Sequence, residues 1–356
     1  MTKGVPAIVL WAAVAGFSLW LVVEGRALIL PFVVAVVLWY LIATLRQVYA
    51  RVRACPGWLT LILAVATVIA FIAVLVDLTL ANVNAVVDAA PLYQANLVLH
   101  FGNAAAFFGI AELPTIGEIR NRVDLAGLVT SLASGMATFV GNVGIVLVYL
   151  AFLLVEQGHA ASKLDALLDG NAGRITRVRQ VIARINSDIR TYLWVKTLLS
   201  VVTGAVSWIV MKAVGLDLAE FWAVLIFFLN FIPTIGSILG FVFPALLTLA
   251  QFSEPLAPFV MVTALLGATQ IVTGNVIEPR MMGRTLKLSP LVILLALALW
   301  GSLWGIIGMF LSVPITVMAL IIFAQFRQTR PIAILLSDDG NIAHLENDNG
   351  EGEYPE

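Results

Sequence analysis

Long uninterrupted apolar runs dominate this chain. They fall at 5–23, 27–45, 58–80, 132–155, 191–214, 219–250, 258–275 and 291–326. A run of about 20 apolar residues is long enough to cross a bilayer as an α-helix. The ten-residue alternation that marks a β-barrel is absent. The pattern predicts an all-α integral membrane protein with eight hydrophobic segments. The first run is nineteen residues long, lacks a small-residue cleavage pattern and is followed within four residues by the next. It therefore reads as a helix and not as a signal peptide.

Two of the runs are too long for one helix. The 219–250 run has 32 residues and the 291–326 run has 36. Each carries a breaker near its middle: Asn230-Phe-Ile-Pro233-Thr-Ile-Gly236 in one, Gly301-Ser-Leu-Trp-Gly305 in the other. Pro and Gly both interrupt helices. A bent single span and a re-entrant hairpin are the two alternatives for each run. Cytoplasmic loops are enriched in Lys and Arg. The rule places the 46–53 loop (Arg46, Arg51, Arg53) and the 156–190 stretch inside, and 24–26 and 82–131 outside. With hairpins, the 276–290 segment with Arg280, Arg284 and Lys287 also lies inside, leaving 16 basic residues inside and 4 outside. With bent spans the split is 13 to 7. The expectation is about six full transmembrane helices plus two hairpins, with both termini cytoplasmic. The two helix-plus-hairpin units are then inverted relative to each other, a build that recurs in secondary transporters.

Two polar stretches interrupt the runs. Residues 82–131 carry Asp88, Glu112, Glu118 and Asp124 against Arg120 and Arg122. Thr115-Ile-Gly-Glu118 reads as a capping box that starts a helix there. Residues 156–190 are basic, and Ile175, Val178, Ile182, Ile185 and Ile189 recur at helical spacing. They form an amphipathic helix that runs into the fifth span. The organisation is thus N-terminal membrane helices over 1–81, an extracytoplasmic amphipathic segment over 82–131 and a membrane helix over 132–155. A cytoplasmic amphipathic helix over 156–190, a transport core over 191–326 and a disordered acidic tail over 337–356 complete it.

Composition narrows the function. Apolar residues make up 61 % of the chain and charged residues 12 %, with a mean hydropathy of +1.01. Such a chain cannot cover a soluble surface, which excludes a soluble enzyme, a disordered protein and a nucleic-acid binder. The net charge is −1, yet Ser337–Glu356 holds seven acids and no base, so the body carries +6. A basic body suits a cytoplasmic face against anionic lipid. One cysteine, Cys55, and three scattered histidines predict no disulfide, no metal centre and no cofactor. Neither a Gly-x-x-x-x-Gly-Lys-Ser/Thr loop nor a His-Glu-x-x-His motif occurs, so the chain reads as no enzyme, and uphill transport would draw on an ion gradient.

Polar groups at membrane depth are costly unless satisfied or useful. Asn230, Pro233, Thr234, Gly236 and Ser237 cluster at the first break. An amide and freed backbone carbonyls there suit a neutral polar solute or a desolvated cation; the bland alternative is that Asn230 only caps a helix. Gln270, Thr273, Asn275 and Glu278 close the seventh run, with Arg280 beside Glu278. They read as a gate or a coupling carboxylate, or else as a structural ion pair. Ser312, Pro314 and Thr316 of the second hairpin read as facing the Asn230 group, or as hydroxyls bonding their own backbone. Asp217 and Glu220 sit at the external mouth of the first hairpin.

Phe221-Trp-Ala-Val-Leu-Ile-Phe-Phe-Leu-Asn230-Phe-Ile-Pro233-Thr-Ile-Gly236 resembles one signature of the autoinducer-2 exporter (AI-2E) family, a group of bacterial permease-like membrane proteins. Gly274-Asn275-Val-Ile-Glu278-Pro279-Arg-Met-Met-Gly283-Arg-Thr-Leu-Lys-Leu-Ser-Pro290 resembles the other. Gly305–Pro314 is similar to the family's final segment, and Tyr192…Lys196 fits its helix start. The resemblance implies a homo-oligomeric inner-membrane exporter or transporter of a small solute. Relatives are associated with a furanosyl signalling molecule, autoinducer-2, and others with sodium/proton exchange. The expected function is a secondary transporter of a small polar solute across the bacterial inner membrane, with the lipid bilayer and a small molecule or ion as partners. Two alternatives stand beside it. One is a cation (Na+)/proton antiporter with Glu278 or Glu220 as coupling acid. The other is a non-transporting membrane scaffold or sensor that uses 82–131 or 156–190.

Overall fold

A computed structural model describes residues 16, 20–52, 56–108, 143–167, 172–282 and 288–342. Among these the chain is helical apart from turns and one isolated bridge between Leu288 and Ser337. In order the helices are α1 (Arg26–Val52), α2 (Gly57–Phe108), α3 (Val143–Glu156), α4 (Ala160–Leu167) and α5 (Ala172–Val214). Then come α6 (Ala219–Leu229), α7 (Ile235–Gln251), α8 (Leu256–Ile271), a π-helical turn (Val272–Ile277) and α9 (Glu278–Met282). The last two are α10 (Pro290–Ala324) and α11 (Arg330–Leu336). Among the described residues five helices are long and apolar enough to cross a membrane, and α3, α6 and α7 are shorter apolar helices. Large apolar side chains such as Phe152 and Ile306 are about 70 % exposed (70 % and 72 %). On helices with a buried opposite side, such residues mark a surface solvated by lipid. The protein is an all-α multi-pass membrane protein.

One element departs from the hydropathy pattern. The third span is predicted to end near residue 80, but α2 continues to Phe108 as one helix of 52 residues. Alanines and other helix formers carry it past Pro91, so 82–108 extends a helix and does not open a new one. The 132–155 span is described only from Val143. The Thr115–Glu118 capping box, Arg284, Lys287 and most of the acidic tail lie outside the described residues. By contrast the 172–190 part of the basic stretch and the fifth span form one continuous helix of 43 residues, α5, while Ala160–Leu167 is the separate helix α4.

The chain forms two compact units. The first comprises Met1–Thr44, Asn142–Leu193 and Arg284–Glu356. Within it the Tyr40 hydroxyl donates to Asn186 Oδ1 at 2.6 Å and Trp304 Nε1 donates to the Val22 carbonyl at 2.9 Å. The helix α10 is two arms joined at Gly305, whose φ of 63° and ψ of −143° suit only glycine. A Cβ at Gly308 would overlap the carbonyl oxygen of Trp300. Eight residues along a straight helix span about 12 Å, so this overlap means that the chain turns back. The long last run is therefore a hairpin, and its tip is aromatic: the rings of Trp300 and Trp304 lie 4.9 Å apart.

The second unit comprises Leu45–Gly141 and Trp194–Gly283. Here α6 and α7 form the other hairpin. A Cβ at Gly236 would overlap the carbonyl of Leu229, seven residues earlier. Trp222 of α6 stacks on Phe243 of α7 at 6.0 Å. With 11 residues α6 is only about 16 Å long, too short for a ~30 Å hydrocarbon core. The hairpin packs on α8 and α2. Met211, Ala219, Ile226, Ala245, Val262 and Leu266 form its buried core. The far part of α2 clasps the open end of the hairpin. Tyr93 donates to Asp217 Oδ2 at 3.0 Å, and Asn96 Nδ2 donates to the carbonyls of Ala250 and Gln251 at 2.9 Å each. Burial, and then Asp217 beside it, push the Tyr93 phenol well above its ordinary range, so it stays a donor at every physiological pH.

Candidate functional site

The hairpin tip of the second unit carries the polar residues. Asn230 ends α6 and Thr234 begins α7, with Pro233 between them. Thr234 holds φ at 61° and makes no capping bond with its side chain. Left-handed backbone is costly for a β-branched residue, and such strain gathers at functional sites. Asn230 is buried, and its side chain reaches Ser200 Oγ on α5 at 3.0 Å. Its side-chain amide thus ties the tip to α5, while its backbone N–H caps the end of α6 on the Ile226 carbonyl.

The α5 face under the tip is unusual for a membrane helix. Lys196, Ser200, Thr203 and Ser207 are all buried and lie at i, i+4, i+7 and i+11, on one side. Lys196 Nζ contacts both carboxylate oxygens of Glu278, at 2.6 and 2.8 Å. The Lys196 side chain is 5 % exposed and that of Glu278 21 %. The expected partner of Glu278, Arg280, is replaced by a lysine 82 residues away in sequence. A charge this deep is retained only where it is paired.

Between the pair and the tip lies a cavity of about 640 Å³. Asn230, Pro233, Thr234 and Ser237 line it from the hairpin, Gln270 from α8, Asn275 from the π-turn and Glu278 from the start of α9. The π-turn inserts an extra residue into the helix, and this sets the register in which Asn275 and Glu278 reach the cavity. Gln270 is 4 % exposed, and neither its amide nitrogen nor its oxygen has a partner among the described residues. A buried amide left unpaired costs ~1–3 kcal/mol. Gly240 makes room for it, since a Cβ there would lie 2.6 Å from Gln270 Nε2.

The other predicted residues make local contacts within their own units. Gly236 closes the hairpin and does not line the cavity. Thr273 donates back to the Thr269 carbonyl at 2.7 Å. Ser312 and Pro314 belong to the first unit, where Ser312 donates to the Met309 carbonyl at 2.7 Å and Thr316 to that of Ser312 at 2.6 Å. Glu220 is held by Lys212 at 2.7 Å. Lys196, Ser200 and Thr263 are the cavity and tip residues that the hydropathy pattern misses. For Lys196 and Ser200 the i, i+4, i+7, i+11 spacing of polar residues inside an apolar run was the available signal.

The sequence profile described as AI-2E family transporter matches residues 8–328. The chain belongs to the AI-2E transporter family. It is 35 % identical over 213 residues to the AI-2 transport protein TqsA of Escherichia coli K12, a match over 59 % of this chain and 60 % of TqsA. Two proteins each named "Putative transport protein" match over longer stretches at 30 % identity. The one from Borreliella burgdorferi matches over 76 % of this chain and 75 % of its own length, and the one from Haemophilus influenzae over 80 % and 83 %. The two segments that resemble AI-2E signatures border the cavity: the first forms most of α6 and the hairpin tip, and the 274–282 part of the second lies in the π-turn and α9.

Proposed function

We propose that this AI-2E family member is a secondary transporter that moves a small neutral polar solute across the bacterial inner membrane, with the hairpin-tip cavity as its solute site. The observation that carries this reading is the buried Gln270 amide, unpaired beside Asn230, Asn275, Thr234 and the Lys196–Glu278 pair. Its donors and acceptor match a solute that offers both. The pairing of Glu278 with Lys196 favours a neutral solute over a cation, because a bound cation would compete with the lysine for the carboxylate. A volume of about 640 Å³ suits a small metabolite. The name of TqsA makes autoinducer-2 the first solute to try.

The test is flux in proteoliposomes, with autoinducer-2 and a panel of small polar metabolites, with and without sodium and proton gradients. Asn230→Ala together with Asn275→Ala is expected to lower flux at least tenfold while the protein still folds and inserts. Unchanged flux in that folded variant would remove these residues from the site.

A further inference from the structure

The cavity extends along α8 beyond the hairpin tip. Thr263, Gly267 and Gln270 lie at i, i+4 and i+7 on one face, about 10.5 Å from end to end, and all three line it. Gly274 follows on the π-turn and lines it too. A Cβ at Gly267 or Gly274 would meet nothing within 4 Å, so no side chain closes the gap between Thr263 and Gln270. At the far end the Thr263 hydroxyl, with its oxygen buried, has no partner among the described residues. A threonine on a membrane helix ordinarily bonds back to its own turn, as Thr269 and Thr273 do here at 2.7 Å each. The opposite face of α8 is apolar and outward, with Met261 49 % and Leu265 46 % exposed.

We propose that this face of α8 is a polar track that opens to water during transport, and that Thr263, whose hydroxyl oxygen is covered in this conformation, is a second binding station for the same class of neutral, hydrogen-bonding solute. The inference deepens the transport reading and rests on it for the nature of the solute. Two independent observations support it: a groove kept open by small residues, and unpaired polar atoms at both of its ends, one on the deeply buried Gln270. A single site needs only Gln270. A solute that travels along α8 needs a partner at the other end, and Thr263 supplies one hydroxyl that both donates and accepts.

Thiol labelling tests the track without knowledge of the solute. In a Cys55→Ser background, single cysteines at Thr263, Gly267 and Gln270 are compared with Met261→Cys and Leu265→Cys in membrane vesicles. The probe is a charged, water-soluble methanethiosulfonate. Cysteines at Thr263 and Gly267 are expected to react at least tenfold faster than those at Met261 and Leu265. That result supports the track whatever the Asn230→Ala/Asn275→Ala variant does to flux. Slow reaction at both Thr263 and Gly267, with fast reaction at Gln270, overturns the track and leaves the tip site standing. Should Thr263→Cys fail to insert, Gly267→Cys decides alone, because its position has open space around it. For the station itself, Thr263→Val keeps the shape and removes the hydroxyl. It is expected to lower flux of any solute found to be carried at least threefold, with Gly267→Cys labelling unchanged. Full flux in that variant overturns the second station.

Discussion

Gly236→Ala is expected to abolish the folded first hairpin. An alanine Cβ would occupy the space of the Leu229 carbonyl oxygen, and the obstacle is backbone, which cannot rotate aside. Overpacking against mobile side chains already costs ~1–3 kcal/mol, and this case lies at or above the top of that range. Gly308→Ala is the counterpart in the other unit. Its Cβ would overlap the Trp300 carbonyl and sit 2.9 Å from Trp304 Cβ. Both variants should lose most of their monodisperse protein in detergent chromatography. Gly267→Ala and Gly274→Ala are the controls, since open space surrounds each. There the change should be neutral or stabilising by ~0.5–1 kcal/mol, because alanine is the better helix former. Equal yields for Gly236→Ala and Gly267→Ala would mean that the arms are not packed this closely.

The second large effect concerns the buried ion pair. Lys196→Ala is expected to destabilise the protein, by at most ~3–5 kcal/mol, because it removes the buried cation that pairs with the Glu278 carboxylate. Glu278→Gln should be costly for the mirrored reason, as it leaves the lysine unpaired. Replacing both by methionine removes both charges, and such replacements are often neutral or stabilising by ~1–4 kcal/mol. The double variant is therefore expected to regain stability in chemical denaturation while flux stays lost. A Lys196→Ala variant within 1 kcal/mol of the parent would show that the pair is solvated and that water reaches it freely. Recovered flux in the double-methionine variant would confine the pair to a structural role.

Much of this fold was legible beforehand because membrane burial leaves a one-dimensional trace. Twenty apolar residues can be counted, and a helix has no other way to satisfy its backbone in lipid. The breakers at Asn230–Gly236 and Gly301–Gly305 were visible for the same reason: Pro and Gly cost most where the backbone has no water. Residues 82–108 were harder to place. Charge and polarity suggested a new segment, yet nothing in local polarity stops a helix whose tail residues Tyr93 and Asn96 find partners on other elements.

The sequence by itself determined that the protein lies in the membrane, that its elements are helices and that two runs must break. It also singled out Asn230, Gln270, Asn275 and Glu278, since each is polar where the pattern calls for apolar residues. Only the tertiary structure decided how these are used. A run of 32 or 36 residues with a breaker is equally a bent span or a hairpin; the close approach of Gly236 to Leu229, and of Gly308 to Trp300, makes both hairpins. Glu278 has a cation two positions away in sequence, yet it pairs with Lys196, because a helix turn places neighbours by angle and packing places strangers by distance. The unpaired Gln270 amide could be read from no pattern. An unmade hydrogen bond depends on everything around the group, and that exists only once the chain has folded.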